Sequence, residues 1–126
     1  MKKLCILVVF MCLPGCVHFG WQDNTRNALE AVHKTAKRAM NVTERLCEPT
    51  LQRCIDNKQN PCIDLMICQQ RRDPVFRVIE SLQHAVKMGL SAVEIQEQDH
   101  ANQKLLKAFE ILAELRVILH MWGVQL

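Results

Sequence analysis

Apolar residues recur at spacings of three and four along most of the chain, which is the pattern of amphipathic helices. The first apolar stripe follows Asp23 and Asn24, either of which is a good N-cap, so we expect the first helix to begin there. The stripe consists of Leu29, Val32, Ala36, Ala39, Thr43 and Leu46. Charged residues such as Arg26, Glu30 and Lys37 fall between these positions, which predicts one buried and one solvated face.

Two further stripes lie in the second half of the chain. Asp73-Pro74 is a start signal, with Asp as the N-cap and Pro at the first helical position. The first stripe comprises Phe76, Ile79, Leu82, Val86, Leu90 and Val93, and the second comprises Leu105, Phe109, Leu112, Leu115, Leu119 and Trp122. Because residues 94–100 between them are polar, we expect a break near Asp99, with residues 101–122 folding back. The alternative is one long helix that would need a partner.

The stretch between the first two helices is punctuated by prolines. Pro49 interrupts the first helix or opens a new turn. Residues 57–61, Asn-Lys-Gln-Asn-Pro, have the composition of a turn, with short helical pieces expected at 51–55 and 62–70. No segment has the alternation of a strand. The predicted fold is therefore all-α, a small bundle of about three main helices with a cysteine-pinned helix-turn-helix corner.

The first sixteen residues, MKKLCILVVFMCLPGC, have a different pattern. Two lysines precede an apolar run of about ten residues, which is too short to span a bilayer and is typical of a secretory signal peptide. The run ends in Leu13-Pro14-Gly15-Cys16, which resembles the lipobox of bacterial lipoproteins. The resemblance implies a thioether between the Cys16 sulfur and diacylglycerol, cleavage after Gly15, and acylation of the new amino terminus, for example by palmitate.

This resemblance covers the signal alone, and Pro14 departs from the usual Ala or Ser. It predicts a signal peptide at 1–15, a lipidated cysteine with a short tether at 16–24, and a helical domain at 25–126. Val17 rather than Asp follows the cysteine, which by similarity to Gram-negative lipoproteins implies the periplasmic face of the outer membrane. An ordinary signal peptide and an uncleaved anchor are the alternatives.

Charge excludes one class of partner. The 126 residues carry a net charge of +3, and removing residues 1–15 leaves 14 basic and 13 acidic residues, a net charge of +1. A nearly neutral domain without a long run of like charges is a poor nucleic-acid binder. We therefore expect contact with the membrane through the lipid, and no nucleic acid.

Four cysteines lie in the predicted domain: Cys47, Cys54, Cys62 and Cys68. An even number in an exported domain predicts two disulfides, with three connectivities open. The nested one, Cys47–Cys68 with Cys54–Cys62, suits two antiparallel helical segments meeting at the turn of residues 57–61. Zinc is the alternative, but structural zinc sites prefer about two to four residues between paired ligands. The gaps here hold six and five residues.

Two Glu-x-x-His motifs, Glu30/His33 and Glu97/His100, are the remaining candidate chemistry. Two such motifs, with glutamates from two other helices, build the di-iron sites of ferritin-like bundles. Both motifs align with basic residues of their own helices, which indicates solvated faces rather than a core. Serine-hydrolase, zincin, Walker and dinucleotide motifs are absent from the sequence. We therefore predict no catalytic site, no metal and no cofactor.

Together these features predict a non-enzymatic, lipid-anchored envelope protein that acts through protein–protein contacts at a membrane surface. Small pilotin lipoproteins of secretion systems are similar in size, helicity and disulfide use, and phage- or plasmid-encoded exclusion lipoproteins are an equally apt comparison. The expected partner is an unidentified envelope protein. A structural envelope lipoprotein and a metal-binding bundle are the alternatives. The apolar segment 111–124 is expected in the core, with an exposed partner-binding stripe as the alternative.

Overall fold

The computed structural model describes residues 20–126 in full and the backbone of residues 2–19. In this part of the chain there are four helices and no strand: α1 (Lys2–Arg45), α2 (Glu48–Asp56), α3 (Ile63–Glu94) and α4 (Gln98–Met121). The three long helices form the bundle, so the predicted all-α fold is confirmed. The predicted signal peptide and Cys16 lie outside the fully described residues. None of the helices, over the described residues, is both long and apolar enough to cross a membrane.

The long helices share a single core built mainly from the predicted stripes. Its largest fully buried side chains are Leu29, Ile79, Leu82, Leu115, Leu119, Val75, Val86, Val93 and Thr43. Each buried aliphatic side chain contributes about 1.5–3 kcal/mol relative to exposure. The Thr43 hydroxyl is satisfied within the core, since it donates to the Ala39 carbonyl oxygen at 2.6 Å.

Contacts at the two ends of the bundle fix the helix directions. At one end, Gly89 of α3 faces Leu29 of α1 and Lys104 of α4 at close range. At the other end, Arg72 of α3 donates from Nη1 to the backbone carbonyl oxygen of Glu44 at 3.3 Å. The chain therefore runs antiparallel from α1 to α3 and reverses again into α4. The cysteine corner and the end of α4 lie at the end of the bundle away from Gly20.

The predicted break before the last helix is confirmed, a few residues earlier than Asp99. α3 ends at Glu94 and α4 begins at Gln98. Gln96 in the turn has a positive φ of 62°, and the Glu97 N–H donates to the Ala92 carbonyl oxygen at 2.9 Å. This is a Schellman cap, which satisfies carbonyl groups that the end of α3 leaves free.

The predicted helix start at Asp73-Pro74 is wrong, because α3 continues from Ile63 through Pro74. Proline inside a helix costs about 3 kcal/mol, but the helix is held on both sides of it. A disulfide fixes Cys68 upstream, and Val75 and Ile79 are buried in the core downstream. These tertiary constraints outweigh the local preference for a break.

The predicted start of the first helix at Asp23 or Asn24 is also wrong. Residues 20–24 are helical and continue α1 upstream. The physical reason is packing, since Trp21 lies against the core and Thr25 is buried. Pro49, by contrast, stands in the first turn of α2, so it opens a new helix.

Candidate interaction surface

Two disulfides tie α2 to the start of α3. The structure joins Cys47 to Cys68 and Cys54 to Cys62, with Cα–Cα distances of 5.9 and 5.8 Å. This is the nested pairing. The predicted helix-turn-helix corner, residues 47–68, is therefore a hairpin closed by two bridges, which we call the disulfide hairpin.

The disulfide hairpin buries little besides its half-cystines. Cys47 and Cys54 are buried, at 3% and 5% exposure. Leu65 is half-buried, and the other five large apolar side chains of the hairpin are exposed: Leu51, Ile55, Ile63, Met66 and Ile67. Short helices without an apolar core are marginal in water. The two bridges therefore hold a structure in which apolar side chains remain available at the surface.

α4 carries apolar side chains on two opposite faces. Its inner face packs into the core through Ala101, Ala108, Leu112, Leu115 and Leu119. Its outer face carries four large apolar side chains, Leu106, Phe109, Val117 and Met121. They are 66%, 46%, 63% and 82% exposed, respectively. With the exposed Ala113 they recur at spacings of three and four, so they line one side of the helix. We call this row the α4 stripe.

Residues 111–124 were expected in the core, with an exposed stripe as the alternative, and the structure divides the segment between the two. Leu112, Leu115 and Leu119 are in the core, whereas Val117 and Met121 face solvent. The prediction that Phe109 belongs to the buried stripe is wrong, because its side chain lies on the outer face at 46% exposure. Exposed apolar rows of this kind mark interaction sites more often than isolated exposed residues do.

The structure does not assemble the Glu-x-x-His motifs into a metal site. Glu30 and Glu97 are exposed, while His33 and His100 are half-buried. Among the described residues, no group of three or more His, Cys, Asp or Glu side chains is placed to hold a metal ion. These four residues are therefore surface positions on α1 and at the start of α4.

Charged side chains interact little in the fully described part of the chain. Its single ion pair joins Lys107 and Glu110 at 3.2 Å, and both side chains are exposed. An exposed pair of this kind contributes about 1 kcal/mol at most. The Arg72 guanidinium lies 5.3 Å from the centroid of the Phe76 ring, a cation–π contact at the base of the disulfide hairpin.

No family model, curated protein or solved structure matches this chain. Function is therefore inferred from its own residues: the lipobox-like segment, the two disulfides and the α4 stripe.

Proposed function

We propose that the protein is a non-enzymatic lipoprotein, anchored through Cys16, that acts through protein–protein contacts at the periplasmic face of a Gram-negative outer membrane. The α4 stripe is the observation that carries this proposal. The segment Leu13-Pro14-Gly15-Cys16 supports the anchor. The two disulfides support an oxidising compartment, because such bridges persist in the periplasm and are rare in the cytosol.

The stripe supports binding because it has the composition and shape of an interface centre. Leu106 and Met121 are 15 positions apart, so the row is about 22 Å long at the helical rise. Aromatic residues and methionine are enriched in interface cores, where a partner removes them from water. Burying this apolar area would contribute about 25 cal/mol per Å² covered, before the costs of association.

The anchor would attach at one end of the bundle. Cys16 precedes Gly20 by four residues, which at full extension span about 14 Å. Gly20 lies at the end of the bundle that also holds the turn between α3 and α4. A lipid on Cys16 would therefore hold that end near the bilayer and leave the disulfide hairpin directed away from it.

The anchor predicts a defined mass. We expect intact protein extracted from membranes to have the mass of residues 16–126 plus acyl chains, and to gain the hydrogens of two disulfides on reduction. Cys16→Ala should abolish the acyl mass and leave the signal uncleaved. Cys12→Ala is the matched change within the signal, and it should leave acylation and cleavage as in the wild type. An unlipidated wild-type mass with free thiols would contradict the anchor and the compartment together.

If the α4 stripe is the contact surface, a charged substitution within it should reduce cross-linking to the partner, and one outside it should not. We expect wild-type protein in intact cells to form chemically cross-linked adducts with another envelope protein. Val117→Glu should reduce their yield about tenfold, because the contact would then bury an unpaired carboxylate. Ile95→Glu is the matched control, since Ile95 and Val117 are 65% and 63% exposed but Ile95 lies outside the stripe. Equal yields from both variants would show that the α4 stripe is not the contact surface.

A further inference from the structure

The disulfide hairpin and the end of α4 border an open groove, which we call the distal groove. Its lining residues include Arg53, Ile67, Arg71, Arg116, Met121 and Trp122. Two compartments of about 250 and 310 Å³ share Arg71 and Trp122. A third, of about 500 Å³, lies beside Arg116 and Met121. The groove thus joins the hairpin to the last turns of the α4 stripe.

Three arginines without carboxylate partners surround apolar side chains in this groove. Arg53, Arg71 and Arg116 are exposed, and the single ion pair among the fully described residues involves none of them. Asp64 is the one acidic residue that lines the three compartments. Ile67 and Met121 supply exposed apolar surface, at 47% and 82%. The groove is therefore apolar and positively charged.

The groove lies at the end of the bundle away from the predicted anchor. Gly20 and Arg45 are 25 positions apart in α1, which corresponds to about 37 Å along the helix axis. The hairpin follows directly after Arg45. A bilayer that holds Cys16 is therefore far from the groove when the bundle stands on its anchor, which favours a protein over a lipid surface as the occupant.

We infer that the distal groove binds a segment of another envelope protein that carries apolar side chains next to aspartate or glutamate. Guanidinium groups form paired hydrogen bonds with carboxylates, so acidic side chains would match the three arginines. Apolar side chains of the segment would cover Ile67, Met121 and Trp122. This inference rests on the proposed function, because it takes the partner to be a protein at the same membrane.

Site-specific photo-cross-linking in the native host tests the occupant. A photo-reactive amino acid replaces Met121 in the full-length protein, and the cross-linked peptide is sequenced by mass spectrometry. Ser91, exposed on α3 toward the other end of the bundle and outside the α4 stripe, is the control position. We expect an adduct from Met121, and not from Ser91, with a segment that has apolar residues beside Asp or Glu.

Charge reversal tests the arginines. Arg71→Glu with Arg116→Glu is expected to lower the Met121 adduct about tenfold, because like charges across an interface are strongly unfavourable. Lys34→Glu with Lys87→Glu changes the net charge equally at exposed positions outside the groove, and should leave the yield within about twofold. Equal losses in the two double variants would overturn the charge argument.

Other adducts would also overturn the inference. A link to lipid, to a second copy of this chain or to a basic segment would each exclude the proposed occupant, as would the absence of any adduct at Met121. The intact mass of the membrane-extracted protein tests the anchor independently of these cross-links. An unlipidated protein that still cross-links to an acidic, apolar segment would refute the proposed attachment and retain the groove.

Discussion

Replacing Gly89 by leucine is expected to lower the free energy of unfolding by about 3 kcal/mol. A Cβ at this position would lie 2.9 Å from Leu29 Cδ1 and 3.3 Å from Lys104 Cβ. Leu29 is fully buried, so its side chain cannot move aside into solvent. The Lys104 Cβ is fixed to the backbone of α4. A leucine at position 89 would therefore separate the three helices, and denaturant unfolding measures the loss.

A second substitution, at Leu29, tests whether overpacking causes the loss of stability in Gly89→Leu. Leu29→Ala alone should cost about 3 kcal/mol, because it removes a fully buried side chain and leaves a cavity. In the double variant, the leucine at position 89 can occupy that cavity, so the combined cost should be smaller than the sum. Ser91→Leu, at an exposed position of the same helix, should change stability by about 0.5 kcal/mol or less. Strict additivity would contradict close packing at Gly89.

Removing the outer disulfide with Cys47→Ala and Cys68→Ala is expected to cost about 3 kcal/mol under oxidising conditions. The bridge closes a loop between residues 21 positions apart, whereas the Cys54–Cys62 bridge spans 8. The outer bridge also links the junction of α1 and α2 to α3, which packs in the core. Because the disulfide hairpin buries few apolar side chains, its own packing would not compensate for loss of the outer bridge.

The inner bridge is the matched comparison. Cys54→Ala with Cys62→Ala should leave global unfolding less affected, because this bridge closes the shorter loop and does not link the junction of α1 and α2 to α3. Its main effect should be faster amide hydrogen exchange in α2 and in the turn before α3, since this region opens without exposing the core. Equal losses of global stability from the two pairs would show that the hairpin unfolds together with the bundle rather than separately.

Local sequence signals predicted the helices well and their ends less well. The stripe from Leu29 to Leu46 and the polar residues 94–100 were sufficient to predict α1 and the turn into α4. Pro74 was misleading, because its local effect is opposed by a disulfide at Cys68 and by burial of Val75. Both constraints involve residues distant in sequence, so no inspection of neighbouring residues reveals them.

The α4 stripe required the folded structure for a related reason. α4 is apolar around much of its circumference, so its periodicity does not select one inner face. Contacts with α1 and α3 make that selection, which places Leu112 inside and leaves Phe109 at 46% exposure. A comparable argument applies to the distal groove, because Arg53 and Arg71 line a compartment with Trp122 only once the hairpin lies beside the end of α4.

Residue type and local spacing, which act over a few turns of chain, were enough to predict the all-α class, the order of the helices and the cysteines available for bridges. The packed bundle was needed to establish the nested pairing of the cysteines, the continuation of α3 through Pro74 and the outward face of α4. Each of these depends on the balance between local preference and contacts made by residues far apart in the chain, and that balance exists only once the three long helices have packed.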